Sequence, residues 1–491
     1  MISGSMETIE IRAAIDRFVK TAKKPVLMEA GEESIALAPD NFVLEDRGPA
    51  LLLQAWDDRR NLVRRITGIE SESRGRLLLR IERFGKKPGT LQLVDAARGT
   101  RERIELHGTR LEFREKLRRF LRRQFPTHKI AELSTEANLE ASLSPAYARA
   151  MIREGTSAWA AIGAGPECLN VDGILSFGLI WLDYLRRREP GLTLHGLVLL
   201  VPAGHEKTTC LRLRHMNPRV AQYRAFAYSD DGIESALDLH DYGNLDTHLE
   251  PVRRRVPGPI DETIAPLLAN PSIEAVHLPS GEIGFRVHGL EFACTSGSTL
   301  LAGFETNGHA KASNVQEIEH LAEALVCVRS HNARDKNNPL YLQGRELWLE
   351  SQVRNQLEQI DARLLPAPVY EQAPTFAAGE RGIIDLLAAE RDGRLAILEL
   401  KAAQDIHLPL QGLDYWMRVK WHLDRNEFEK AGYFPELRLR PEPPRMTFVA
   451  PALDFHPSNE SVLRYVSPEI EIARVGVGAE WQRQLKVMFR M

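Results

Sequence analysis

Gly382-Ile-Ile-Asp385-Leu-Leu-Ala-Ala-Glu-Arg-Asp-Gly-Arg-Leu-Ala-Ile-Leu-Glu399-Leu-Lys401, followed ten residues later by Gln411-Gly-Leu-Asp-Tyr415, is the stretch whose reading decides the fold. Two apolar runs flank Arg391-Asp392-Gly393, and a glycine turn between β-prone segments signals a hairpin. Ionisable residues stand where a buried strand should be apolar: Asp385 between Ile383-Ile384 and Leu386-Leu387, and Glu399 and Lys401 around Leu400. Because strand side chains alternate, Glu399 and Lys401 project from one face, roughly 7 Å apart at their Cα atoms. Two carboxylates and one ammonium thus gather at one end of a hairpin.

A divalent ion such as Mg²⁺ or Mn²⁺ suits such a set, since it takes carboxylate and carbonyl oxygens and keeps several waters. Asp385, Glu399 and the backbone carbonyl of Leu400 would supply the protein oxygens, and Lys401 would orient or help deprotonate an attacking water. The residues alone leave a second reading, a buried ion pair without metal. Burying three charges only for packing is costly, which favours the first.

The order Gly-x-x-Asp385, Glu399-x-Lys401, Gln411-x-x-x-Tyr415 resembles the PD-(D/E)XK nuclease superfamily, and its last element resembles the RecB-like branch. Glu399-Leu400-Lys401 is the one acidic-x-Lys triplet of the chain, and Gln411 to Tyr415 its one Gln-x-x-x-Tyr. The resemblance covers roughly the last third. It implies a restriction-endonuclease-like core, a mixed sheet flanked by helices, with Asp385 and Glu399 on the metal and Lys401, Gln411 and Tyr415 at the phosphate. Such families often present a glutamate from a preceding helix; Glu350 fits best here and Glu346 is the runner-up. Ile384, not Pro, precedes Asp385. Cys168, Cys210, Cys294 and Cys327 are scattered ahead of the core, so no iron–sulfur cluster is expected. No Gly-x-x-x-x-Gly-Lys-[Ser/Thr] phosphate loop occurs.

A chain of 491 residues is expected to split into two to four domains. The fold class read from the sequence is multi-domain α/β: a β-rich N-terminal module over 1–110, an α/β domain over 111–245, a linker with hairpin and helix over 246–335, and the nuclease domain over 336–491. No apolar run approaches the ~20 residues that span a bilayer, and the start has no signal-peptide core, so a cytoplasmic protein without membrane partners is expected. Of the 64 basic residues 50 are Arg, whose planar fork suits bidentate phosphate contact. With a net charge of −3 there is no excess of positive charge to support that reading, and a codon bias toward Arg is favoured.

In the first module, strands are expected at Phe42-Val-Leu, Ala50-Leu-Leu-Leu, Asn61-Leu-Val, Arg76–Ile81 and Leu91–Val94, after a short amphipathic helix with Ile11, Ile15 and Phe18. Arg64, Arg65, Arg80 and Arg83 either line a duplex or solvate a sheet. From Leu111 a helix carries Leu117, Phe120 and Leu121 amid a dense basic run, again a solvated face or a phosphate contact. Arg253-Arg-Arg-Val-Pro-Gly-Pro reads as a linker and Pro279-Ser-Gly as a hairpin turn. Helices are expected over Asn314–Arg329 and Arg345–Asp361.

Ile174-Leu-Ser-Phe-Gly-Leu resembles Leu408-Pro-Leu-Gln-Gly-Leu, and each is followed by a strand ending in Val-Pro-Ala or Val-Ala-Pro-Ala. Two readings of the segment from about 111 to 245 stay open: a second, degenerate nuclease-like domain, or a generic α/β similarity, which is favoured. Ile162-Gly163-Ala164 falls where Glu399-Leu400-Lys401 would, and Phe177 stands for Gln411. The expected function is Mg²⁺-dependent hydrolysis of DNA phosphodiester bonds, RNA staying open as a substrate, with a homodimer or a regulatory partner as further expectations. Two alternatives stay open: a nucleic-acid-binding protein with a vestigial site, and a defence nuclease gated by a ligand or partner.

Overall fold

The computed structural model describes every residue except 1–2, 23, 30–34, 39–40, 48–49, 57–60, 74, 84–86, 96–99, 139–140, 169, 230, 242, 253–263, 278–281, 297–298, 303–313, 337 and 378–379. The expected linker at 253–259 and turn at 279–281 lie outside the described residues. The protein is mixed α/β with a β-rich N-terminal region, in two compact units. Met1–Ile104 with Arg253–Gln352 forms the first, and Glu105–Val252 with Val353–Met491 the second.

In chain order, the first unit opens with α1 (Ser3–Thr21), β1 (Pro25–Glu29), β2 (Ile35–Ala36), β3 (Phe42–Arg47), β4 (Ala50–Trp56), β5 (Asn61–Ser73), β6 (Arg76–Arg83) and β7 (Lys87–Asp95). These strands make an antiparallel sheet in the order β2-β1-β7-β6-β5-β4-β3. Alternate residues Leu51, Leu53, Leu77, Leu79, Leu91 and Leu93 are buried with Ile11, Ile15 and Phe18 of α1, the period-2 face of a strand meeting the stripe of a helix. Of the four arginines named above, Arg65 pairs with Glu82 at 3.1 Å, and Arg80 lies over Gly68. The Arg83 side chain is outside the described set.

Helix α2 (Thr100–Gln124) leads into the second unit at Glu105, followed by β8 (Lys129–Ser134), β9 (Tyr147–Glu154), β10 (Ser157–Ala164), α3 (Ile174–Arg188), β11 (Thr193–Pro202), α4 (Lys207–Leu213), β12 (Gln222–Tyr228), β13 (Glu234–Ala236) and β14 (Thr247–Leu249). The chain returns to the first unit with α5 (Ala265–Ala269), the meander β15 (Glu274–His277), β16 (Ile283–Val287), β17 (Leu290–Ser296) and β18 (Thr299–Ala302), then α6 (Val315–Val328), α7 (Pro339–Leu342) and α8 (Arg345–Arg354). Asn314 and Glu317 close a reciprocal cap on α6, whose Ile318, Ala322 and Leu325 are buried with Phe285 and Phe292. Buried Arg329, after α6, donates to the carbonyls of Leu340, Gln343 and His288.

The chain ends in the second unit with α9 (Leu357–Ile360), β19 (Tyr370–Ala377), β20 (Glu380–Ala389), β21 (Leu395–Leu400), α10 (Leu408–Asp424), α11 (Glu427–Lys430), β22 (Arg445–Pro451), α12 (Ser458–Leu463), β23 (Ile472–Val477) and β24 (Val487–Arg490). The helix expected over Arg345–Asp361 is thus two helices, α8 and α9, separated by a turn at residues 355–356. Sequence order and spatial grouping differ because pairing is non-local: β14 hydrogen-bonds β19, Thr247 opposite Ala377.

The two sheets of this unit share one plan. In the first, β8, β9 and β10 run antiparallel, β10, β11 and β12 run parallel, and β13 turns back antiparallel. In the second, β19 to β24 repeat that order and those directions strand for strand, with β14 added at the β19 edge. The parallel crossovers carry α3 and α4 in one half, and α10 with α11 and α12 in the other. The two sheets thus have the same strand order and directions from β8 to β13 and from β19 to β24.

Helix α3 packs on α12, and α10 on α4, so each half lends its long helix to the other half's short one. Met216 and Val466 form an isolated antiparallel bridge. Asn217 N donates to Tyr465 O at 2.7 Å, and Ser467 N to His215 O at 2.8 Å. Each residue in this exchange is 250 positions from its counterpart. Such self-complementary swapping is the signature of a two-fold axis, here between two halves of one chain.

Candidate active site

Side-chain alternation on β21 buries Leu395 and Ile397 against the helical layer, so Glu399 points the same way. Glu399 is fully buried. Lys401, just past the strand, anchors its own N–H on Val449 O of β22 at 3.0 Å and brings Nζ to 3.3 Å from Glu399 Oε1. On β20 the register sets Leu386 opposite Leu398, which makes Asp385 and Glu399 the next pair. Asp385 Oδ2 accepts the Leu400 N–H at 2.7 Å. The hairpin thus brings both carboxylates and the ammonium to one strand end.

Helix α10 starts just beyond, with Pro409 in its first turn, where a missing N–H costs nothing. Gln411 and Tyr415, one turn apart, touch: Gln411 Nε2 donates to the Tyr415 hydroxyl at 3.1 Å. Burial raises the Tyr415 pKa above the ordinary tyrosine range, and the negative charges of Glu399 and Asp385 push the same way, while Gln411 and Lys401 oppose. The phenol stays protonated beside the carboxylates. Arg418 lies 5.8 Å from the Tyr415 ring centre, and Lys420 pairs with Asp424 at 2.5 Å.

Glu350 is buried on α8 and belongs to the first unit, and Glu346 is exposed on the same helix. Among the described residues, no group of three or more His, Cys, Asp or Glu side chains gathers into a metal cluster. A hard cation fits the set that is present through two carboxylates, the Leu400 carbonyl and water, the mixed shell that Mg²⁺ accepts.

The sequence reading passed over three neighbours at this end of the unit. Asp405 Oδ1 accepts the His407 N–H at 2.7 Å at the start of α10. Burial holds His407 below the usual histidine range, helped by Arg212 and His456 and opposed by Asp405, and burial lowers His456 as well. The Asp-x-His spacing immediately before a helix-starting Leu-Pro was the available signal.

The other half has the same scaffold with different side chains. Glu399 lies opposite Phe448, and Ile162 opposite Leu199. Phe448 and Leu199 each stand three residues before the proline that ends the strand, Pro451 or Pro202. Ile162 therefore holds the Glu399 position. Its cross-strand partner on β9 is Arg149, in the Asp385 position. Gly178 and Gly412 fix the helices: a Cβ on either would strike the sheet, 2.7 Å from Leu197 Cδ2 or 2.4 Å from Phe448 Cε1. From that anchor Phe177 replaces Gln411 and Trp181 replaces Tyr415. Arg149 is buried, and its guanidinium donates to the carbonyls of Ser144 at 2.5 Å, Tyr147 and Glu136. A fixed cation thus stands where the half that contains β20 has the Asp385 carboxylate. No protein-family model matches the chain, nor does any curated protein.

Proposed function

We propose that the second unit is a metal-dependent nuclease with a restriction-endonuclease-like core that hydrolyses phosphodiester bonds of DNA. The observation that carries this reading is the fully buried Glu399 with Lys401 Nζ at 3.3 Å and Asp385 on the adjoining strand. Sequestering such charges is costly unless they act on something. Mg²⁺ or Mn²⁺, when bound, would supply a more acidic water and a polarised phosphate.

Asp385, Glu399 and the Leu400 carbonyl would hold the ion. Lys401 orients the attacking water and offsets charge that builds on the phosphate oxygens. Neutral Tyr415, braced by Gln411, donates a hydrogen bond to a phosphate oxygen instead of repelling it. The reaction is a hydrolysis: the water oxygen bonds phosphorus, one P–O ester bond breaks, and a proton passes to the departing alcohol oxygen. The remaining elements bind nucleic acid or regulate the site. The described cysteines are free thiols, which suits a reducing cytoplasm.

The test is cleavage of supercoiled, linear and single-stranded DNA with Mg²⁺ or Mn²⁺, wild type beside Asp385→Asn and Lys401→Ala. Metal-dependent cutting abolished by Asp385→Asn and cut at least a hundredfold by Lys401→Ala is expected. DNA binding by the wild type without cutting would sink the reading in favour of a vestigial site.

A further inference from the structure

We propose that this unit cuts a single strand of duplex DNA per encounter and releases a nicked product. The inference rests on the nuclease reading and adds the number of strands cut. Its basis is the two-fold relation between the halves together with their unequal side chains.

The axis passes between Met216 and Val466, whose flanking backbone groups exchange hydrogen bonds. It passes again between Gly173 and His407, which hold equivalent places five residues before Gly178 and Gly412. A Cβ on Gly173 would sit 3.0 Å from His407 Cε1. The starts of α3 and α10 therefore meet on the axis, and the ends of β10 and β21 that lead into them open on the same side. Aromatic contacts continue across this junction: Phe177 lies 5.0 Å from Tyr147 and 5.8 Å from His407 between ring centres.

Duplex DNA has local two-fold axes relating its antiparallel strands, and two-fold proteins use them by addressing one strand with each half. Here one half presents Asp385, Glu399 and Lys401. The other presents Arg149, Ile162 and Ala164 at the matching positions, with Arg149 held by carbonyls. A cation held there by backbone carbonyls repels a second cation, and neither Ile162 nor Ala164 can ligate one or move a proton. The second strand meets a half that lacks the carboxylates and the lysine and does not hydrolyse it.

Two measurements test this on the full chain. Supercoiled plasmid with limiting protein and Mg²⁺ or Mn²⁺ should convert first to open circles, with linear DNA rising only after a lag as separate nicks fall opposite one another. Linear product in constant ratio to open circles from the earliest times overturns the inference and leaves the nuclease reading intact. No conversion at all overturns both. Independently of cleavage, Mn²⁺ binding followed by electron paramagnetic resonance should vanish when Asp385→Asn and Glu399→Gln are combined. Specific Mn²⁺ binding that survives in that double variant places a working site in the other half and overturns the inference.

Discussion

Lys401 Nζ lies 3.3 Å from Glu399 Oε1, two residues apart on one strand end, with Glu399 fully buried. Each charge makes the other tolerable in a site poor in water. Lys401→Ala should lower the turnover of DNA cleavage by about 10²–10⁴, the range for a positioned proton-transfer or charge-stabilising group. Addition of Mg²⁺ should raise the melting temperature of the wild type and leave that of Glu399→Gln unmoved, because an ion that binds only the native state stabilises it. Differential scanning fluorimetry reads this without any substrate.

Arg212 on α4 grips Asp414 on α10 through two hydrogen bonds, 2.9 and 2.7 Å, and donates a third to Asp172 O. Arg212 is buried. Asp414→Ala strands its guanidinium and should cost about 3–5 kcal/mol in urea unfolding, the cost of breaking a buried pair from one side. Asp414→Asn, which keeps acceptor oxygen at that place, should cost less. Equal losses for the two would show that the charge, not the acceptor oxygen, carries the contact.

Gly412 packs α10 against the sheet so closely that a methyl group would meet the Phe448 ring at 2.4 Å. Gly412→Ala should therefore cost about 1–3 kcal/mol by overpacking. It should also weaken cleavage, because Gln411 and Tyr415 ride on the same helix. Gly178→Ala, beside Leu197 at 2.7 Å, should cost a similar amount of stability and change cleavage less. Comparing the two variants separates general packing damage from displacement of the site.

His215 sits next to Met216 with its ring 5.3 Å from Trp416, and burial with Arg214 and Lys420 nearby lowers its pKa to about 4. The unfolded chain takes up a proton near pH 6.5 while the folded one resists. Stability is therefore unaffected above about pH 6.5 and falls as pH drops toward 4, by at most about 3 kcal/mol from this residue. His215→Gln should flatten that slope in urea melts taken between pH 7 and 4. An unchanged slope would locate the acid sensitivity elsewhere.

The hairpin carrying Asp385, Glu399 and Lys401 was legible because charges interrupt two otherwise apolar runs around a glycine turn, and β20 and β21 form there. The repeat was legible through Gly178 and Gly412, since both halves need a helix lying tight on the sheet. Strand β9 went unread: Tyr147-Ala-Arg-Ala-Met-Ile is buried on both faces, and inward-facing Arg149 breaks the alternation a half-buried strand would show. Strand β5 runs to Ser73 although only Asn61-Leu-Val looked β-like, its remainder being interrupted by Gly68 and two register shifts. Glu350 was named through the family resemblance and its place on a helix, and neither says which unit that helix joins. The discontinuous make-up of the units rests on pairings such as Thr247 with Ala377, which no local pattern announces.

The reciprocal hydrogen bonds of residues 215 and 217 with 465 and 467 have an evolutionary consequence. A self-complementary contact of this kind joins two identical copies as readily as two halves of one chain. In a pair of identical copies every substitution appears twice, so a change that removes a carboxylate from one side removes it from both. Covalent fusion ends that coupling. Arg149 and Asp385 can then occupy matching positions of the two halves while the joint between them stays closed.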